Sequence, residues 1–174
     1  MSTGFRATRD GVVAEFDAAE AAILRSLVEM ILGMIEPGST AEDPLERALG
    51  IGTSTEVPDD PVLARLFPSA YADEEMAAEF RRYTEAGLRD AKRADAQTML
   101  ETVVPGRITL TEEQAHAWLR ALNDVRLTLG TRLEVTEEVH EEIAEMPEDD
   151  PRYAAFVTYD WLTYLQDTLV RALW

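Results

Sequence analysis

Two Glu-x-x-His spacings, Glu113–His116 and Glu137–His140, are the residues of this sequence best placed to do chemistry. Three positions apart on a helix, a carboxylate and an imidazole share a face. Di-metal carboxylate bundles use two such pairs on two helices, with one glutamate from each of two others. Glu29, set inside an apolar run, is a candidate for one of those glutamates. A plainer reading competes. Both pairs fall in the first turn of a predicted helix, where the dipole favours acids anyway, and the helix beginning at Glu137 is too short to span a bundle. Capping acids with incidental histidines are the primary reading, and a metal-binding or enzymatic helical bundle is the alternative. No catalytic residue and no cofactor is assigned.

A second polar group sits in an apolar helix. Trp118, Leu122, Val125 and Leu129 recur at helical period, and Asn123, Asp124 and Arg126 lie among them. Arg120 stands four residues before Asp124, at ion-pair spacing, and Gly130 is predicted to end the helix. Buried polar groups must be partnered, so a structural network around the Gly130 turn is the leading expectation for Arg120, Asn123, Asp124, Arg126 and Gly130. A partner-binding patch comes next, since arginine is enriched at binding hot spots. A third group is a basic stripe, Arg82, Arg89 and Arg93 with Lys92 beside it. It is read as solvated surface paired with Glu85 and its neighbours, with an anion or partner contact as the functional option. Glycine-rich phosphate loops and a serine-hydrolase elbow are absent.

The elements that must position these groups are mostly helices. Phe5–Thr8 and Val12–Phe16 flank Asp10-Gly11 and predict a hairpin. Asp17 and Glu20 form a capping box for a long helix to Glu36, apolar over most of its circumference and therefore expected at the centre. Residues 37–59 read as an irregular surface excursion with a short helix opening at Pro44, and Pro61 opens another short helix. In a second long helix, Asp73 to Val104, Met76, Phe80, Tyr83, Gly87, Ala91 and Ala94 run down one face, whose small lower half would let another helix approach closely. Arg107–Glu113 and Arg132–Glu138 echo one another as strand-to-helix transitions that could pair beside the hairpin. The final helix, from Pro151, is rich in aromatics: Tyr153, Phe156, Tyr159, Trp161, Tyr164 and Trp174. Its apolar residues wrap around more than one side, so a homodimer through this C-terminal helix is expected. The whole is a mainly α fold, a helical bundle with a small β-hairpin and short strands at one end, in a single domain of residues 1–174.

Composition narrows the function. With 34 acids against 16 bases the formal net charge is −18. Affinity for nucleic acid comes mainly from neutralising phosphates, so direct DNA or RNA binding is disfavoured and a basic protein surface is the better partner. There is no cysteine, hence no disulfide, no thiolate metal site and no thiol sensor within this chain. Neither a secretory signal nor a run of about 18 apolar residues is visible, so the expected location is the cytoplasm, with no membrane contact.

Three stretches carry a resemblance. Leu122-Asn-Asp-Val-Arg-Leu-Thr-Leu-Gly-Thr-Arg-Leu133 is similar to the best-marked segment of the actinobacterial family of the oxidative-stress regulator AosR, formerly a domain of unknown function. Asp60-Pro-Val-Leu-Ala-Arg-Leu-Phe-Pro-Ser-Ala-Tyr71 with Glu79-Phe-Arg-Arg82, and Trp161-Leu-Thr-Tyr-Leu-Gln166, resemble the same family. In length and order the resemblance covers essentially the whole chain. The resemblance implies a non-enzymatic transcription regulator of the oxidative-stress response that acts through protein contacts, with an alternative sigma factor as partner. It also implies sensing through a cysteine pair, which this chain lacks. A role as an accessory protein of Clp-linked proteolysis is a further implication, from the gene neighbourhood of such proteins.

Overall fold

The structure is a computed structural model that describes residues 2–37, 43–49, 51–52 and 55–174. Three antiparallel strands, β1 (Arg6–Thr8), β2 (Gly11–Phe16) and β3 (Gly106–Leu110), form one sheet in the order β1-β2-β3. Thr8 faces Gly11 across the hairpin and Val13 faces Thr109. Gly11 has a φ of 132°, and a Cβ there would sit 2.2 Å from the Leu110 carbonyl oxygen, so strand pairing at this corner requires glycine. Of the two echoed segments, only the first is a strand. Residues 134–138 are irregular, with turns at 134 and 137–138, because the preceding helix consumes Arg132 and Leu133.

Seven helices follow among the described residues: α1 (Ala18–Met34), α2 (Pro44–Ala48), α3 (Pro61–Leu66), α4 (Glu74–Thr102), α5 (Glu112–Leu133), α6 (Val139–Glu145) and α7 (Tyr153–Leu173). The excursion expected over 37–59 is described only in part: α2 lies within it, while 38–42, 50 and 53–54 lie outside the described residues. No described helix is long and apolar enough to cross a membrane.

The capping box of α1 forms as the sequence predicts, with Asp17 accepting from the Glu20 N–H and Glu20 from the Asp17 N–H. The helix is not the centre, however. It buries Ala21, Leu24, Val28 and Ile31 on one side and leaves Ile23 40% exposed on another. The centre is α5, which packs against α1, α3, α4, α7 and the sheet. Trp118 on α5 is fully buried, stacked on Phe16 at 5.9 Å and edge-on to Phe5 at 5.5 Å. Its indole N–H donates to the Thr102 hydroxyl at 2.7 Å, so the sheet, the end of α4 and the start of α5 share one anchor.

Two further corrections concern helix faces and ends. The face of α4 that carries Met76, Phe80 and Tyr83 is in solvent, with those side chains 52%, 44% and 53% exposed, and no described helix packs on its small lower half at Gly87, Ala91 and Ala94, which are exposed too. The buried face instead carries Ala77, Ala86, Ala96 and Met99 together with Arg81, Glu85 and Asp95. Small alanines let neighbouring elements approach closely, and the charged groups are accepted because they pair. Gly130 does not end α5. The helix runs on to Leu133 and closes at Glu134, which takes a left-handed φ of 53° while the Val135 N–H reaches the Gly130 carbonyl at 2.9 Å. Gly130 serves packing instead, since a Cβ there would lie 3.0 Å from the Tyr159 ring of α7.

The N-terminal segment lies along part of α7. Trp161 Nε1 donates to the Ser2 hydroxyl, the Tyr164 hydroxyl to the Thr3 carbonyl, and the Phe5 N–H to the Thr168 hydroxyl. Tyr164 and Trp174 keep large exposed areas. Asp150 accepts from the Arg152 N–H ahead of α7, which makes no side-chain cap of its own.

Candidate functional site

The polar residues of α5 face two cavities, one on each side of the helix. The first, about 480 Å³, lies between α4, α5 and α7. Its polar wall holds two ion pairs. Lys92 Nζ lies 2.7 Å from Asp124 Oδ1. Arg120 grips Asp95 with both Nε and Nη2 at 2.8 Å, a bidentate fork. The expected Arg120–Asp124 pair along the helix does not form, because α4 presents Asp95 to the one and Lys92 to the other. Asp124 is almost fully buried, and burial pushes its carboxyl above the ordinary aspartate value against the pull of Lys92. The hydrogen bond from Arg120 to Asp95 raises the pKa of that guanidinium further. Asn123 accepts a long bond from Gln166 at 3.5 Å, and Leu88, Val170 and Trp174 form the apolar wall.

The second cavity, about 570 Å³, lies between α3, α5 and α7. Arg126 lines it, with Nη1 donating to Gln166 Oε1 at 2.6 Å and Cζ 5.6 Å from the centre of the Tyr159 ring. Gln166 thus links the two sides of α5, from Arg126 to Asn123. Arg65, Glu134 and Tyr159 share this second lining. The polar groups of the Asn123–Gly130 segment thus find their partners on neighbouring helices rather than around a turn at Gly130.

The basic stripe is not one surface. Arg82 is exposed, with Glu46 at 3.7 Å. Arg89 lies over the Phe67 ring at 4.5 Å and beside Glu85 at 3.6 Å. Arg93 donates to the Leu32 and Ile35 carbonyls and so caps the end of α1. Arg25 returns the favour by donating to the Val103 carbonyl at the end of α4 at 2.8 Å. Sequence reasoning did not find the buried pair Arg81–Glu85, at 3.2 Å, in which Arg81 also donates to the Phe67 carbonyl. Its spacing of four residues was the available signal. It also did not find Asp95, Gln166 or Arg65, which reach the cavities only through tertiary packing. Lys92, the sole lysine, was legible as an oddity but not as the partner of Asp124.

The two Glu-x-x-His motifs are not brought together. His116 lies 4.0 Å from Glu112 and edge-on to Trp174 at 5.6 Å. His140 Nδ1 is 3.1 Å from Asp160 in an exposed pair. Glu113, Glu137 and Glu29 are exposed. Among the described residues no three His, Asp or Glu side chains converge as a metal ion requires.

A family model described as a domain of unknown function, DUF2017, matches residues 2–173. The oxidative stress regulator AosR of Mycobacterium tuberculosis is 37% identical over 187 residues, covering 95% of this chain and 84% of that protein. The AosR of Mycobacterium bovis matches to the same extent. The putative oxidative stress regulator AosR of Mycobacterium leprae is 36% identical over 173 residues, covering 88% of this chain and 78% of its own. No solved structure matches. With likeness of this degree along nearly the whole chain, the protein belongs to the AosR family.

Proposed function

We propose that this chain is a non-enzymatic regulator of the oxidative-stress response that acts by binding a protein partner, an alternative sigma factor, and not DNA directly. The observation that carries the contact reading is the solvent-facing side of α4. Met76, Phe80 and Tyr83 follow one another at helical spacing, each more than two-fifths exposed, and Tyr71 packs edge-on to Phe80 at 5.6 Å. Exposed apolar rows of this kind mark protein interaction sites. Glu74, Glu75 and Glu79 adjoin the row, with no ion pair among the described residues. These acids and the net charge of −18 favour a partner that surrounds its apolar anchors with Lys and Arg. The names of the relatives support the regulatory half of the reading.

The test is binding of the purified chain to the sigma factors of its native host, measured by biolayer interferometry, with Phe80→Asp and Tyr83→Asp as variants. Both side chains are exposed, so the variants should keep the wild-type melting temperature while losing the partner. Failure of every sigma factor to bind, or undiminished binding by both variants, rejects the reading. Binding instead to a Clp adaptor or protease subunit would move the protein to proteolysis.

A further inference from the structure

The second cavity contains a charge that the fold leaves without a counter-charge. Arg126 has no carboxylate within 4.0 Å among the described residues, and its one hydrogen-bond acceptor is the neutral amide oxygen of Gln166. Among the described residues its Nε is buried with no partner, and Nη2 makes no hydrogen bond either. A guanidinium stays protonated at any physiological pH, so the site cannot shed its charge. Nε and Nη2 form the edge with which Arg120, six residues earlier on the same helix, holds both oxygens of Asp95 at 2.8 Å. Arg126 lines a cavity of about 570 Å³. The lining also includes Arg65 of α3, exposed and likewise without an ion pair among the described residues. Glu134 is the one acid in the lining, so the cavity carries a net positive charge in a chain of −18. At physiological ionic strength charges are screened beyond about 8 Å. The local pair of arginines therefore governs what enters, rather than the distant acids.

We infer that this cavity is a binding site for a small organic oxyanion, a carboxylate or a phosphate ester, seated on the Nε–Nη2 edge of Arg126. Arg65 supplies the second positive charge. Pro61, Ala64 and Leu127 offer the apolar wall for the rest of the ligand. Nε has no solvent-exposed surface in the cavity as it stands, so the anion enters at Nη2 and the guanidinium turns slightly on the Tyr159 ring to bring Nε into reach. Gly130 leaves Tyr159 its place beside the helix. The site lies on the far side of α5 from the α4 ion pairs and does not depend on the partner reading above.

The experiment is a titration of the full chain followed through the Arg126 Nε–H resonance and the Tyr159 ring by NMR. Sodium benzoate and sodium phosphate serve as separate probes, with sodium chloride at matched ionic strength as control. The expected result is a saturable shift below about 10 mM with at least one oxyanion and not with chloride. Saturation by benzoate alone identifies a carboxylate ligand, by phosphate alone a phosphate ester, and by both an oxyanion site of either kind. Arg65→Gln should weaken binding about threefold with an unchanged melting temperature, since it removes one exposed charge. Arg126→Gln should weaken it about tenfold or more. Linear, chloride-like shifts with both probes overturn the inference. So does saturation that survives Arg126→Gln, or affinity indifferent to Arg65→Gln.

Discussion

Arg120 and Arg126 sit on the same helix, six positions apart, and meet opposite fates. Arg120 has a side chain 60% exposed, yet both its fork nitrogens hold a carboxylate. Arg126 is half-buried and holds one neutral amide. Burial alone would predict the reverse, because an unpaired charge costs more the less water reaches it. The difference lies in the facing helix. Opposite Arg120, α4 presents Asp95; on the Arg126 side, α3 contributes a proline, an alanine and a second arginine to the cavity. The first cavity closes its own charge balance, two bases against two acids. The second is left with a surplus. A built-in ion pair holds helices together, whereas a surplus charge facing a cavity is available to something from outside.

The largest expected effect strikes the self-balanced side. Lys92→Ala leaves Asp124, 3% exposed, without its cation. Removing one partner of a buried pair is costly because the other charge stays behind. Lys92 itself is 17% exposed, so water can follow it in, and the loss should be about 2–3 kcal/mol, below the range for a fully enclosed pair. Urea unfolding measures it. A loss under about 0.5 kcal/mol, the ordinary range of a surface substitution, would mean that the two cavities do not differ in kind.

A smaller effect depends on pH. Burial raises the Asp124 carboxyl above its usual value of 3.8. Between that value and the raised one the folded state binds more protons than the unfolded, so this group's contribution to stability falls as pH rises through the window. Asp124→Asn removes the slope. The stability of the variant relative to wild type should therefore improve as pH climbs from the ordinary aspartate range, and level off above the raised pKa. Acid-range urea melts of the two proteins give the comparison. A relative stability that worsens with rising pH would show that Lys92 outweighs burial at this site.

How much of this was legible in the sequence depends on the reach of each signal. The hairpin, the cap at Asp17 and the strand before α5 are local, and they stand where periodicity and capping put them. The exposed side of α4 was not legible. A row of Met76, Phe80 and Tyr83 has the same spacing whether it faces a core or a partner, and the decision lies with the alanines on the opposite side. Gly130 carried a true signal with a second meaning: glycine suits a helix end, but here it admits Tyr159. Of the candidate polar residues, Arg120, Asn123, Asp124 and Arg126 do line cavities, yet their partners come from α4 and α7, some 25 to 43 positions away. No local pattern encodes such pairings.

The smallest expected effect is the most telling for Arg126. Replacing it with Met keeps the length of the stem and removes the charge. The variant forgoes the bond to Gln166, worth about 1 kcal/mol net, and a cation–π contact with Tyr159 of about 0.5–1 kcal/mol. Against that, it no longer has to desolvate a guanidinium without a counter-ion, a penalty of about 1–3 kcal/mol. The thioether also packs well against an aromatic ring. These terms nearly cancel, so Arg126→Met should unfold within about 0.5 kcal/mol of wild type. Arg120→Met, which frees Asp95, should cost about 1 kcal/mol. Paired urea melts decide the order. If Arg126→Met proves the more damaging, its guanidinium is a strut of the fold and the premise of an anion site falls. If it is silent in stability and loses the saturable response to oxyanions, the charge is kept for a ligand.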